Sequence, residues 1–474
     1  MESKYEKKLA RLARTYANEK ADRVPFRPFA AEFCAHYAGK TCQEVTHDYR
    51  QAFEAVMKIC SENDFDAFVP NQVHLWSGLT QALGVNYYAV PGLDIKPNVG
   101  FQYLEPPEEQ AFMRDDEYDE LIDDPTAFLY NKWFPRVTKS IGRLDKDGSM
   151  YENNFSLVKG AMALWEYRLM GARHVQNMRD KTQTPPPFCG TFKAPFDIIG
   201  DKMRGYLGLT MDMYEQPDKV LKACEALMPY LCNVSLRLSD PDSNLPIAFW
   251  LHRGCKPFVS EGVFESHYWS TAKPIIEEFY RHKKQTFFYA EGAWHCHFDE
   301  IKKLLEKSII YHADKDDIFE ANKALGDKFC LSGGIPNALL SFGKREDVAE
   351  FCKRVISEVA GDGGYLMDAS AIMQNDTKVE NFMEMMRVCR EFGVYEDSDW
   401  DGKLRAPLGD ANPDSVFGMR GREKEIEAAS YRTPRSQKRG DYGEIPGDEA
   451  LCERVWNDIE KLGTMFIRQM LLCF

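Results

Sequence analysis

Positive charge is what this sequence has too little of. Across 474 residues, 60 Lys and Arg stand against 74 Asp and Glu, a formal net charge of −14 with a pI near 5.4. Nucleic-acid binders carry a basic stripe, so this balance argues against nucleic acid as a partner. It argues equally against docking on an anionic membrane. Long apolar runs are missing too. No stretch approaches the roughly 20 residues that cross a bilayer, so no membrane span is expected. The first twenty residues are charged throughout and hold no apolar signal segment, which predicts a cytoplasmic protein. The 13 cysteines form no C-x-x-C pair and read as reduced, mostly buried thiols.

What is present is the composition of an ordinary globular protein, 44% apolar and 13% aromatic. The length suits one large α/β barrel with insertions. Short apolar runs recur at 24–29, 67–70, 86–90, 188–192, 247–250, 286–290, 308–311, 328–331 and 364–367, with helical stretches between them. Strands alternating with helices predict parallel βαβ units and an eight-stranded (β/α)8 barrel. Nine runs are one too many, so either 86–90 or 188–192 falls outside the barrel. Residues 1–20 read as a solvated helix and 298–307 as a connecting helix. The β–α alternation breaks over about 97–187, which predicts an inserted helical cap at the barrel mouth. The barrel with its cap then spans 1–395. Residues 396–474 are a polar connection and a terminal amphipathic helix with Leu451, Val455, Ile459, Leu462, Phe466 and Met470 on one face. That face can pack on the barrel or on a partner subunit, leaving a homo-oligomer open.

The polar side chains at strand ends are the candidates for chemistry, because parallel barrels build their sites there. Glu291 and His312 end adjacent predicted strands, which lie about 5 Å apart laterally. Asp368 ends the last. A Glu/His/Asp set with an open position suits catalytic zinc, acting as a Lewis acid on a substrate oxygen. His295, Cys296 and His297 are an alternative ligand group, and Glu277 a weaker candidate. Asp314, Asp316 and Asp317 read as helix caps. His252 and Arg253 follow Trp250 and suit an anionic or aromatic substrate. Tyr289 and Trp294 can stack on one, although aromatic core packing is the commoner use. Asn71 ends the run at 67–70.

The motifs Ala290-Glu291-Gly292-Ala293-Trp294, Tyr311-His312-Ala313-Asp314, Leu331-Ser332-Gly333-Gly334-Ile335-Pro336 and Gly361-Asp362-Gly363-Gly364-Tyr365 resemble the uroporphyrinogen decarboxylase superfamily over roughly 23–393. That superfamily is an eight-stranded barrel and contains decarboxylases and zinc-dependent corrinoid methyltransferases. Its decarboxylases hold substrate carboxylates with an arginine-rich N-terminal segment. Here that segment, 24–29, has Arg27 alone. Many of the methyltransferases carry His-x-Cys where this chain has Tyr289-Ala290-Glu291, and a later Cys where it has Asp368. The pattern resembles instead the methyltransferase component of anaerobic aryl methyl ether O-demethylases, whose proposed zinc ligands include Glu and His. The resemblance implies Glu291 and His312 as ligands, with Asp368 a positional third. It implies a methyl group moving from a methoxylated aromatic small molecule to the Co(I) corrinoid of a cobalamin-binding partner protein. The alternatives are a decarboxylase of the family type and a non-catalytic barrel that binds a ligand.

Overall fold

The computed structural model describes residues 3–70, 76–85, 88–100, 102–138, 150–428 and 446–473. Eight strands are present there, and six form one parallel sheet in chain order. These are β3 (Cys189–Lys193), β4 (Ile247–Leu251), β5 (Thr286–Ala290), β6 (Ile309–Ala313), β7 (Cys330–Gly333) and β8 (Tyr365–Leu366). Every residue of β4, β5 and β6 is buried. That is the mark of parallel strands covered on both faces, and it explains their unbroken apolar runs. Two extended segments close the sheet. The Arg27 N–H donates to the Met367 carbonyl at 3.1 Å, and the Met367 N–H to the Pro25 carbonyl at 3.0 Å. The Asp66 N–H donates to the Phe26 carbonyl at 3.1 Å, and the Phe68 N–H to the Pro185 carbonyl at 3.1 Å. Segments 24–27 and 66–68 thus supply the two remaining positions, and the fold is a (β/α)8 barrel.

The surplus run is therefore 86–90, not 188–192. Its described part, β1 (Tyr88–Ala89), pairs antiparallel with β2 (Gln102–Tyr103) outside the barrel. The stretch 97–187 holds short helices and the long helix Met150–Asn177. It reaches the C-terminal side of β3, where Trp133 donates Nε1–H to the Lys202 carbonyl at 2.6 Å and the Met113 N–H donates to the Met203 carbonyl at 2.9 Å.

Two helical expectations need correction. Helix α1 (Lys4–Tyr16), started by a Ser3/Glu6 capping box, is not solvated. Its Leu12 and Tyr16 plug the barrel interior beside Phe287, Ile310, Cys330 and Leu366. Its charge misled: Lys8 and Arg11 are buried because they pair with Asp64, Asp22 and Asp66. The helix expected over 298–307 is only Phe298–Ile301, preceded by a tight turn, His295–His297. Asp316 accepts the N–H groups of Trp294 and His295, which tightens that entrance.

The terminal helix runs Glu449–Cys473. Phe466, Ile467 and Leu471 are buried, with Phe466 edge-on to Phe134 at 5.5 Å, whereas Leu451, Val455 and Ile459 are exposed. Before it, residues 397–419 run along the barrel exterior, tied by Lys20 to Asp397 and by Glu278 to the Met419 N–H. No described helix is long and apolar enough to cross a membrane.

Candidate functional site

The strand register builds the floor of the mouth. Lys193, Trp250, Tyr289, His312 and Ser332 are successive partners across β3 to β7. Trp250 and Tyr289 are 4.3 Å apart between ring centroids, and Phe29 lies 5.5 Å from Trp250. Phe188 packs edge-on against both Phe29 and Trp250. The floor is thus an aromatic wall with a cation at one end and His312 at the other.

His312 lies under this wall, its ring stacked on Tyr289 at 4.6 Å. Its Nε2–H donates to the Ser370 carbonyl at 2.9 Å, so Nδ1 carries the lone pair. That lone pair meets Arg27 Nη2 and Ser332 Oγ, each at 3.2 Å. Burial, reinforced by the Arg27 charge, pushes the His312 pKa well below its ordinary value. Gly333, at φ +78°, is needed beside it: a Cβ there would sit 2.7 Å from His312 Cε1. Asp368 is equally enclosed. It pairs with Arg27 Nη1 at 3.1 Å and accepts the N–H groups of Phe29 and Ala369. Burial raises its pKa to about 6 against the pull of Arg27.

Glu291 sits apart from these two, exposed at the end of β5. Asp314, on which the Glu291 charge acts, accepts the Gly292 N–H at 2.8 Å. Burial first, and the Glu291 charge after it, raise the Asp314 pKa to about 6. The zinc set expected from the sequence therefore does not fit these side chains. His312 has both nitrogens engaged, one against a guanidinium, and Asp368 is held by the same guanidinium. Among the described residues, no three His, Cys, Asp or Glu side chains converge on a metal position.

The other expected residues divide. Trp250 and Tyr289 reach the barrel interior, where both are buried, and His252 and Arg253 reach the partly exposed loop after β4. Trp294 does not: it is fully buried behind the sheet against Phe264, Tyr268 and Phe288. His297 stacks on Phe264 at 3.5 Å and meets the Gly254 carbonyl, while His295 faces Asp316, so the His-Cys-His run shapes a loop. Of the expected helix caps, Asp317 caps Ile318–Leu325, whereas Asp314 holds the Gly292 N–H and Asp316 the entrance turn. Glu277 lies on the barrel exterior, bound to Lys273 and the Gly418 N–H. Asn71 lies outside the described residues.

Sequence reasoning missed a polar cluster beyond β3 and β4. Asp201 Oδ2 receives Lys193 Nζ at 3.0 Å and His252 Nε2, and Asp201 Oδ1 receives Arg253 Nε at 2.9 Å. Burial alone would raise the Asp201 pKa, but His252, Lys193 and Arg253 hold it well below the carboxylate range. Burial likewise pushes His252 down, and Asp201 and Asp197 bring it above its ordinary value. Asp197 accepts from Tyr268 Oη at 2.8 Å and the Arg253 N–H at 2.8 Å. The available signal was the pair Asp197 and Asp201, four apart in an otherwise apolar helical stretch.

A search of curated proteins finds no match. Among solved structures, a methyltransferase from Methanosarcina mazei shares the fold with a TM-score of 0.51 at 13% identity, over 81% of this chain and 98% of that one. The sequence model of the uroporphyrinogen decarboxylase family matches residues 172–392, which contain β3 to β8, His312, Asp368 and the Asp201 cluster. Over those residues the chain is similar to the uroporphyrinogen decarboxylase family.

Proposed function

We propose that this protein is a methyltransferase that takes a methyl group from a methoxylated aromatic small molecule and gives it to the Co(I) corrinoid of a partner protein. The observation that carries the reading is the aromatic wall of Phe29, Phe188, Trp250 and Tyr289 at the strand ends, flanked by Asp314 and Glu291. The fold shared with a methyltransferase supports it. The N-terminal arginine that a decarboxylase of the family type would turn to its substrate, Arg27, is here fully buried and committed to Asp368 and Ser332.

In the reaction the methyl–oxygen bond breaks, both electrons stay on oxygen, and the methyl group joins the acceptor. The oxygen takes a proton as that bond breaks, because an unprotonated aryl oxide is a poor leaving group. Trp250 and Tyr289 hold the ring by stacking. Asp314 carries a proton at higher pH than an ordinary carboxyl, and Glu291 beside it helps to keep it there. Because the zinc set does not fit, no step is routed through metal.

The test mixes the full-length protein with a reduced corrinoid protein and a panel of methoxylated aromatics. Conversion of the Co(I) spectrum to methyl-Co(III) with at least one donor is expected. No conversion across the panel would sink the reading.

A further inference from the structure

The cluster around Asp201 holds more positive charge than its carboxylates balance. Lys193, His252 and Arg253 all lean on the two oxygens of Asp201. The nearby Asp197 spends its oxygens on Tyr268 Oη and the Arg253 backbone N–H. Buried charge without a counter-charge is costly, and proteins avoid it unless a ligand completes the set.

Two features point to where that ligand sits. His252 Nδ1 is buried with no hydrogen-bond partner, while Nε2 is held by Asp201. The Arg253 guanidinium uses only Nε on Asp201, and neither Nη group hydrogen-bonds to a described residue. A guanidinium edge with free Nη groups is a fork for a planar carboxylate. Lys193, His252 and Arg253 keep 17%, 15% and 12% of their side-chain surface, so a ligand can reach them. Rings surround the fork: the guanidinium carbon lies 4.8 Å from Phe258, 5.2 Å from Tyr206 and 5.7 Å from Tyr103. Lys193 is also the register neighbour of Trp250.

We propose that Arg253, His252 and Lys193 form a carboxylate-binding subsite that seats an aromatic acid, with Asp201 positioning the three cations. The proposal rests on the proposed function only in taking the barrel mouth as the substrate site. Arg253 grips the carboxylate with its Nη groups, His252 Nδ1–H donates to it, and the ring extends toward Trp250 and Tyr289.

Calorimetric titration of the full-length protein tests this with benzoate and its neutral counterpart benzamide, neither of which carries a methyl group to transfer. Benzoate is expected to bind at least tenfold tighter than benzamide. Arg253→Gln should erase that preference, bringing benzoate affinity down to that of benzamide. Lys193→Met, which leaves the fork in place, should weaken it several-fold, and it serves as the readout if Arg253→Gln does not fold. Equal binding of the two probes, no benzoate binding, or an undiminished preference in a folded variant overturns the proposal. Methyl transfer from neutral donors alongside such a result would leave the methyltransferase reading standing. Benzoate binding without methyl transfer would do the reverse.

Discussion

Arg27 and Asp368 face each other at 3.1 Å inside the barrel, both wholly buried, one from the first extended segment and the other just past β8. The pair joins the two ends of the sheet where the barrel closes. Removing one partner strands the other charge, which costs about 3–5 kcal/mol, whereas replacing both with apolar groups is often near neutral. Asp368→Ala is therefore expected to lower stability by that amount, and Arg27→Met combined with Asp368→Leu by less than half of it. Urea denaturation of the single and double variants checks this. Additive losses would show that the pair is not coupled.

His312 gives the protein an acid-sensitive term. Its folded pKa lies well below its ordinary value because of burial and the Arg27 charge, while the unfolded chain protonates near 6.5. Below that pH the unfolded state binds the extra proton. The contribution is present above pH 6.5 and is lost by about 1.4 kcal/mol per unit as pH falls. Asp314 and Asp368, raised to about 6, act in the opposite sense, their contribution being lost as pH rises through about 6. The difference between wild type and His312→Gln isolates the histidine. Urea midpoints at pH 7.5, 6 and 5 should converge for the two proteins. Parallel curves would contradict the buried neutral imidazole.

Glu291 and Trp294 stand three residues apart in one expected site, yet their variants should behave in opposite ways. Glu291 is exposed, so Glu291→Gln should change stability by no more than about 0.5 kcal/mol. It should nonetheless slow methyl transfer by at least tenfold. Trp294 is fully buried, so Trp294→Ala should cost about 3–5 kcal/mol. Paired melting curves and Co(I) assays read both. A destabilised Glu291→Gln, or a Trp294→Ala that keeps full stability, would reverse these assignments.

The contrast between these residues shows what the sequence could disclose. Strands β4 to β7 were legible because parallel strands buried on both faces leave unbroken apolar runs. The first two barrel positions were harder to read: Pro25, Pro28 and Pro70 cannot donate to a ladder, and each contact with a neighbour rests on one or two hydrogen bonds. Polar residues at strand ends were found, but what each faces was not. His312 meets Arg27 across 285 residues of chain, a pairing no local pattern encodes. Trp294 and Tyr289 look alike in sequence, and only the tertiary structure puts one behind the sheet and the other inside the barrel. The Asp201 cluster escaped because its members come from β3, the helical stretch after it and the loop after β4.

The same long-range logic governs α1, whose charges suggested a solvated helix. Arg11 donates from Nε and Nη2 to Asp22 at 2.6 and 2.7 Å, and from Nη1 to Asp66 at 2.6 Å. Asp66 in turn accepts the Phe26 N–H at 2.9 Å, so the helix is tied to the strand-like segments that close the barrel. Arg11→Ala leaves the buried Asp66 with Arg23 as its remaining cation and should cost about 3 kcal/mol. Leu12→Ala, which opens a cavity in the barrel floor, should cost about 2–5 kcal/mol. The two losses have different signatures in hydrogen exchange. Arg11→Ala should first expose the amides of Phe26 and Asp66, where the ion pairs hold the backbone. Leu12→Ala should loosen α1 itself first. Unchanged melting in both variants would mean that α1 only rests on the barrel and does not close it.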